Sequence, residues 1–160
     1  MSSRLKGMRS SPPLTVSVVI PVYQGQETLP SLIQELAQFT NPQKTPEGRE
    51  FRVTEVILVW DRGPGASDHT IRDLAAQWDF VRPLWLSRNF GQHAATIAGM
   101  SSSGGEWILT MDEDGQQDPQ FIAELIDCAY REHAQLVYGT PTNRAPHSWF
   151  RNMASKWTKR

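Results

Sequence analysis

The chain has 160 residues, of which 39% are hydrophobic and 21% are charged, and its formal net charge is −1 at pH 7. These values are typical of one globular domain with a real core, and a net charge near zero gives no case for nucleic acid as a partner. The single cysteine, Cys128, excludes an internal disulfide framework, and no apolar run approaches the length needed to span a membrane.

The first 13 residues are basic and rich in serine and proline, and they lack the apolar region of a signal peptide. We therefore expect residues 1–13 to form a disordered tail on the cytoplasmic side. The first strongly patterned segment begins immediately after this tail.

From residue 15 onward the sequence alternates between apolar, β-branched runs and segments with apolar residues at helical spacing. Residues 41–50, which carry two prolines and a glycine, are predicted to form a surface loop. The alternation predicts an α/β fold in which a mainly parallel sheet forms the centre of a three-layer α/β/α sandwich, and we assign residues 14–145 to it. The predicted strands are residues 15–23, 53–60, 81–86, 106–111 and 136–138, and the predicted helices begin near residue 29, at a cap on Ser67 or Asp68, near residue 94 and at Pro119.

One of these apolar runs stops abruptly at two carboxylates. Asp112 and Asp114 follow the predicted strand 106–111 directly, at the edge where open α/β sheets bind ligands. If strand geometry continues between them, the two side chains point the same way and can share a hard divalent cation such as Mg²⁺ or Mn²⁺. The same residues also fit an acidic turn before a helix, with Asp118 as its cap and Pro119 at its first position.

Polar residues follow two other predicted strands. Asp61 comes at the end of strand 53–60, and the pair Arg88-Asn89 follows strand 81–86. The carboxyl ends of parallel strands share one edge of the sheet, so we expect these groups to converge with the two aspartates on a single ligand. A nucleoside diphosphate chelated to a metal is a ligand that this set of side chains could bind. The sequence contains neither a glycine-rich dinucleotide fingerprint nor a P-loop.

Four motifs together resemble those of the family 2 glycosyltransferases, and more narrowly the branch of dolichol-phosphate mannose synthases and bacterial polyprenyl-phosphate sugar transferases. They are residues 18–23 (VVIPVY), Asp61, residues 87–92 (SRNFGQ) and residues 111–119 (MDEDGQQDP), in the same order as in the family. The resemblance implies a GT-A Rossmann-like fold, a nucleoside diphosphate sugar as donor and an inverting displacement assisted by Mg²⁺ or Mn²⁺.

The resemblance also implies roles for individual residues. Asp114 and Asp112 would hold the metal at the diphosphate, with Asp112 also near the ribose or metal-bound water, and Arg88 would act with them as a catalytic residue. Arg144 would bind the acceptor phosphate. The donor pocket would be formed by Pro21, Val22 and Tyr23 beside the nucleobase, Asp61 at the base or ribose, Asn89 and Gln92 around the donor, and Gln116 and Asp118 beneath the sugar.

Residues 146–160 form a basic, amphipathic C-terminal segment. Projected as a helix, its apolar residues fall on one side and most of its basic residues on the other. Such a segment can lie in the headgroup layer of an anionic membrane, or it can pack on the domain as a final helix with a solvated basic face. With the resemblance, we expect a UDP- or GDP-sugar donor, a polyprenyl phosphate acceptor at the cytoplasmic face of a membrane, and a chain that stops before further C-terminal elements.

Two other classes of function fit parts of the sequence. A non-catalytic module that binds a nucleotide sugar would use the same donor residues. The pattern Asp112-Xaa-Asp114-Gly after an apolar strand is also the nucleophile motif of haloacid-dehalogenase-type phosphatases, although in those enzymes the motif normally opens the fold. Turnover of a nucleotide sugar distinguishes the transferase from the binding module, and phosphate release from a simple phosphoester would indicate the phosphatase.

Overall fold

The computed structural model describes residues 12–140 of the chain. Its sheet contains the strands β1 (Leu14–Val22), β2 (Gln43–Lys44), β3 (Glu50–Trp60), β4 (Val81–Trp85) and β5 (Trp107–Thr110). Its α-helices are α1 (Leu29–Ala37), α2 (Ser67–Gln77), α3 (Gln92–Ser101) and α4 (Ile122–Arg131), with short 3-10 helices at Gln38–Thr40 and Pro119–Phe121. The predictions for most of the N-terminal tail, for Arg144 and for residues 146–160 lie outside the described residues.

The four longer strands are parallel and place their carboxyl ends at one edge of the sheet. β1 pairs with β3 on one side and with β5 on the other, and β4 pairs with the far side of β3. The parallel order is therefore β4-β3-β1-β5. Along the chain, β3 and β4 are added on one side of β1 and β5 is added on its other side, so the direction of strand addition reverses between β1 and β5. In open α/β sheets ligands bind at such a switch point.

Helices cover both faces of β1 and β3, which explains why these strands are continuous apolar runs. The helices α1, α2 and α4 pack on one face, and α3 packs on the opposite face, where Val19 and Ile57 contact Ala95. The backbone of α3 approaches the sheet closely, since a Cβ on Gly99 would lie 2.3 Å from Cγ1 of Val19. The predicted three-layer α/β/α sandwich is confirmed. None of the helices within residues 12–140 combines the length and the apolar character needed to cross a bilayer.

Three local predictions are wrong. Residues 136–138 form no strand: Leu136 and Val137 line a cavity together with residues of β5 and α4 without pairing with the sheet, and Leu136 stays 66% exposed. The predicted loop 41–50 contains β2, a two-residue strand too short to show periodicity, which pairs antiparallel with the start of β3. Neither Ser67 nor Asp68 caps α2, because the hydroxyl of Ser67 instead donates to Oε1 of Gln26 at 2.8 Å.

A buried polar cluster joins the strands near their amino-terminal ends. Glu55 of β3 is 8% exposed, and its Oε1 accepts the Ser17 hydroxyl and the Gly104 N–H, both at 2.7 Å. Its Oε2 accepts a hydrogen bond from the guanidinium of Arg82 in β4. Burial acts to raise the pKa of Glu55, but these hydrogen bonds outweigh burial and hold the pKa below its ordinary value.

Glu55→Gln is expected to lower the free energy of unfolding by about 2 kcal/mol at neutral pH, because an amide cannot accept all of these hydrogen bonds. The folded pKa is depressed, so the carboxylate stabilises the fold above its ordinary pKa of 4.5 and loses this effect as the pH falls through the folded value. Urea unfolding over a pH series should show that the free energies of unfolding of the wild type and the variant converge in acid. Glu35→Gln, at an exposed position on α1, is the control, and a difference that does not shrink in acid would contradict the prediction.

Candidate active site

The acidic turn after β5 lies at the switch point. The main-chain N–H of Met111 donates to Val19 O at 3.0 Å, which is the last such bond between β5 and β1. Asp112, Glu113 and Asp114 then follow in a turn and not in a continuing strand. Strand geometry therefore does not continue between Asp112 and Asp114, so it does not point their side chains the same way. Each aspartate has its own surroundings.

Asp112 is held by two glutamine amides. Gln92, at the start of α3, donates from Nε2 to Oδ1 of Asp112 at 2.7 Å. Gln117 donates from Nε2 to Oδ2 at 3.2 Å, and its Oε1 accepts the Asp112 main-chain N–H at 2.9 Å. The structure thus brings together Gln92 and Asp112 from two separate motifs. Gln117 has no predicted role, although it lies within the motif that carries the aspartates.

Asp114 is exposed and has few ties to the protein. Its Oδ1 accepts the main-chain N–H of Gln116 at 3.1 Å, and the described residues make no other hydrogen bond to its carboxylate. Gln116 is exposed beside it, while Oδ1 of Asp118 accepts the Gln120 N–H at 2.8 Å. This confirms the predicted cap with Pro119 behind it, although the first turn is a 3-10 helix. Asp114 therefore remains available to a ligand.

Asp61 connects the end of β3 to the loop that precedes α3. The residue is only 4% exposed, and its carboxylate accepts the main-chain N–H groups of Phe90 at 2.7 Å and Gly91 at 2.8 Å. Its own N–H donates to Val22 O at 2.9 Å, which ties it to β1 as well. Both carboxylate oxygens thus hold the backbone of the loop. The contact of Asp61 with a base or ribose stays a prediction.

Asp61→Asn is expected to lower the free energy of unfolding by about 2 kcal/mol, because the amide can accept only one of the two N–H groups and directs its own N–H groups at the other. Amide hydrogen exchange at Phe90 and Gly91 should accelerate more than exchange in the strands. Asp79→Asn, at an exposed position, is the control. Unchanged exchange at both amides would show that the carboxylate does not hold this loop.

The loop itself presents a cation at the surface. The guanidinium of Arg88 lies 4.7 Å from the centroid of the exposed Phe90 ring, and the two side chains stack. Oδ1 of Asn89 accepts the Gly91 N–H at 3.0 Å, and Gly91 has φ 89°, a conformation that favours glycine. Asn89 thus shapes the loop, whereas Arg88 is exposed beside it.

Of the three residues predicted beside the nucleobase, one presents its side chain to solvent. Val22 is 1% exposed and belongs to the core, and Pro21 is also buried, so these two residues can offer a ligand only their backbone. Tyr23 is 44% exposed directly after the end of β1. Its ring is therefore the aromatic surface at this end of β1.

Glu113, for which the sequence predicts no separate role, also belongs to this site. Its carboxylate accepts the main-chain N–H groups of Tyr23 at 2.9 Å and Gln24 at 3.0 Å, and its carbonyl oxygen accepts the Thr28 hydroxyl. These partners lie about 90 positions earlier in the chain, so no local spacing indicates the contact. Its position between two aspartates is the single signal in the sequence, and that position indicates an acidic turn without indicating a contact to β1.

A model of the family described as glycosyl transferase family 2 matches residues 17–160, which includes every element of this site. The chain belongs to glycosyltransferase family 2. The family assignment made from the four motifs is thereby confirmed.

Solved structures share the fold of this family 2 chain. Staphylococcus aureus TarS 1–349 is 18% identical with a TM-score of 0.59, and the match covers 86% of this chain and 40% of that one. The same fragment in complex with UDP-GlcNAc gives the same identity and TM-score over 38% of its length. The mannosyltransferase PcManGT from Pyrobaculum calidifontis, in complex with GDP-Man and Mn²⁺, is 15% identical with a TM-score of 0.54, over 65% of this chain and 28% of that one. The chain thus spans well under half of each of these proteins.

The family 2 site has few protein ligands for a cation. Among residues 12–140, no three histidine, cysteine, aspartate or glutamate side chains are grouped as a metal site. Asp112 and Asp114 are two oxygen donors, and Mg²⁺ or Mn²⁺ commonly takes its remaining ligands from substrate phosphates and water. The exposed carboxylate of Asp114 fits this arrangement, in which metal and diphosphate bind together.

Proposed function

We propose that this chain is the donor-binding core of a glycosyltransferase that takes a sugar from a nucleoside diphosphate sugar and transfers it to an acceptor by inverting displacement. The observation that carries the proposal is the meeting of three motifs at the β1–β5 switch point. Asp112 binds Gln92 at the start of α3, and Glu113 binds the backbone at the end of β1, while Asp114 in the same turn stays exposed. Membership of family 2 and the shared fold support it.

Each part of the site has a role in this reaction. Asp112 and Asp114 would hold Mg²⁺ or Mn²⁺, which when bound stabilises negative charge on the departing diphosphate. Gln92 and Gln117 fix the orientation of Asp112 before any ligand binds, so the site needs little reorganisation. The exposed ring of Tyr23 would lie against the nucleobase. Arg88, Gln116 and Asp118 would contact the diphosphate and the sugar.

For the acceptor we propose a polyprenyl phosphate, undecaprenyl or dolichyl, at the cytoplasmic face of a membrane. This finer step is supported by the resemblance of the motifs to that branch, by Arg144 as a contact for the acceptor phosphate and by the basic segment 146–160. A phosphate acceptor is already anionic at neutral pH, so it needs no general base to attack the anomeric carbon.

Calorimetric titration with UDP and with GDP, each with and without Mn²⁺, tests the donor half of the proposal. We expect metal-dependent binding with a preference for one nucleotide, whose sugar derivatives are then incubated with polyprenyl phosphate and assayed for release of the nucleoside diphosphate. Binding without transfer would favour the non-catalytic module, and phosphate release from a simple phosphoester would favour the phosphatase. A folded chain that binds neither nucleotide would overturn the proposal.

A further inference from the structure

We propose that Glu113 is a positioning residue that aligns the nucleobase side of the donor site with its diphosphate side, an inference that rests on the function proposed above. Glu113 lies between the two expected metal ligands, Asp112 and Asp114, yet its carboxylate binds the end of β1. It therefore belongs to the site without being a ligand of the metal. The structure gives it a connecting role.

The carboxylate continues the connection between β1 and β5 beyond the sheet. The strands end at Val22 and Thr110, so the N–H groups of Tyr23 and Gln24 lie past the last strand pairing. Oε2 of Glu113 accepts from Tyr23 at 2.9 Å and Oε1 accepts from Gln24 at 3.0 Å. Hydrogen bonds to a charged acceptor are stronger than neutral ones, and two of them fix the carboxylate in one orientation.

The chain after β1 is shaped around this carboxylate. Gly25 is buried, and a Cβ on it would lie 2.7 Å from Oε2 of Glu113 and 2.9 Å from Cγ of Leu29. The carboxylate thus fills the space that a side chain at position 25 would need. The carbonyl of Gly25 accepts the Leu29 N–H at 2.9 Å, and the Thr28 hydroxyl donates to the carbonyl of Glu113. The first turn of α1 and the acidic turn are therefore fitted to each other.

This arrangement has a consequence for a ligand that spans the site. A nucleoside diphosphate would contact Tyr23 with its base and Asp114, through the metal, with its diphosphate. Its affinity depends on both contacts forming at once, so it depends on the distance that Glu113 sets. Pyrophosphate reaches only the metal side, and its affinity should not depend on the position of Tyr23.

The test compares these two ligands, in the presence of Mn²⁺, across the wild type, Glu113→Gln and Gly25→Ala. By calorimetry we expect both variants to lose affinity for the preferred nucleoside diphosphate by about 10-fold, the equivalent of one charge-assisted hydrogen bond, and to keep most of their affinity for pyrophosphate. Gly25→Ala displaces the carboxylate without changing any charge. Because both changes break the same contact, the double variant should be little worse than either single one.

The controls separate the proposal from its alternatives. Glu124→Gln, at an exposed position on α4, should change neither affinity, and circular dichroism checks that each variant is folded. An equal loss for pyrophosphate in Glu113→Gln would assign the effect to charge near the metal and overturn the positioning role. Unchanged nucleotide affinity in folded variants would overturn the positioning role and leave the proposed function intact. A wild type that binds neither UDP nor GDP would overturn both the proposed function and the positioning role.

Discussion

Asp114→Ala is expected to abolish metal-dependent binding of the nucleoside diphosphate, with an affinity about 100-fold below that of the wild type. Asp114 is exposed, and among the described residues its carboxylate accepts a hydrogen bond from Gln116 N alone. Its removal should therefore cost the fold little. On the proposed assignment it removes one of the two carboxylates that would hold the metal, so the metal and the diphosphate that would bind together should both be lost.

Calorimetry with the preferred nucleotide, with and without Mn²⁺, measures this effect. Asp73→Ala, which removes an exposed carboxylate from α2, is the matched control and should bind like the wild type. Thermal unfolding of the empty Asp114→Ala variant should stay close to that of the wild type, because the side chain is not part of the core. If Mn²⁺ still strengthens nucleotide binding in Asp114→Ala, then another residue holds the cation and our assignment of Asp114 is wrong.

The strands and helices that the sequence predicted correctly are those with a dense local signal. β1 and β3 are continuous β-branched runs because helices cover both of their faces, and burial on two faces leaves an unmistakable pattern. The predicted strand at 136–138 is also apolar, but an apolar run does not provide a backbone partner. Whether an apolar run joins a sheet depends on an edge elsewhere in the fold, and that edge is not encoded in the run itself.

The candidate site likewise contains a part that a sequence rule predicts and a part that no rule predicts. One rule, that the ends of parallel strands share an edge, predicts that Asp61, the loop before α3 and Asp112 lie at one edge of the sheet. The hydrogen bonds of Asp61 to Phe90 and of Gln92 to Asp112 link these segments, while their convergence on a single ligand stays a prediction. The bonds of Glu113 to Tyr23 did not follow from any rule. They join side chain to backbone across about 90 positions, and a glutamate between two aspartates looks the same whether it faces solvent or binds a distant strand.

Gly63→Ala is expected to lower the free energy of unfolding by about 3 kcal/mol, at the upper end of what one added methyl group costs in a packed site. Gly63 follows Asp61 in the loop after β3, where the chain presses against the end of β1. A Cβ on Gly63 would lie 1.7 Å from the carbonyl oxygen of Tyr23 and 2.8 Å from its Cα. The obstacle is backbone on both sides, so no side-chain rotation can relieve it.

Neither the loop at Gly63 nor the backbone of Tyr23 can move freely to relieve this contact. The N–H of Tyr23 is bound by Glu113, and Asp61 is anchored both to Val22 and to the loop at Gly91. The added methyl group should therefore displace Tyr23, so that urea unfolding and nucleotide titration both register the change. Gly104→Ala is the matched control, because a Cβ there meets Oε1 of Glu55 at an ordinary 3.6 Å. If Gly63→Ala matched Gly104→Ala in both measurements, the loop would have room to move and its close approach to Tyr23 would not constrain that residue.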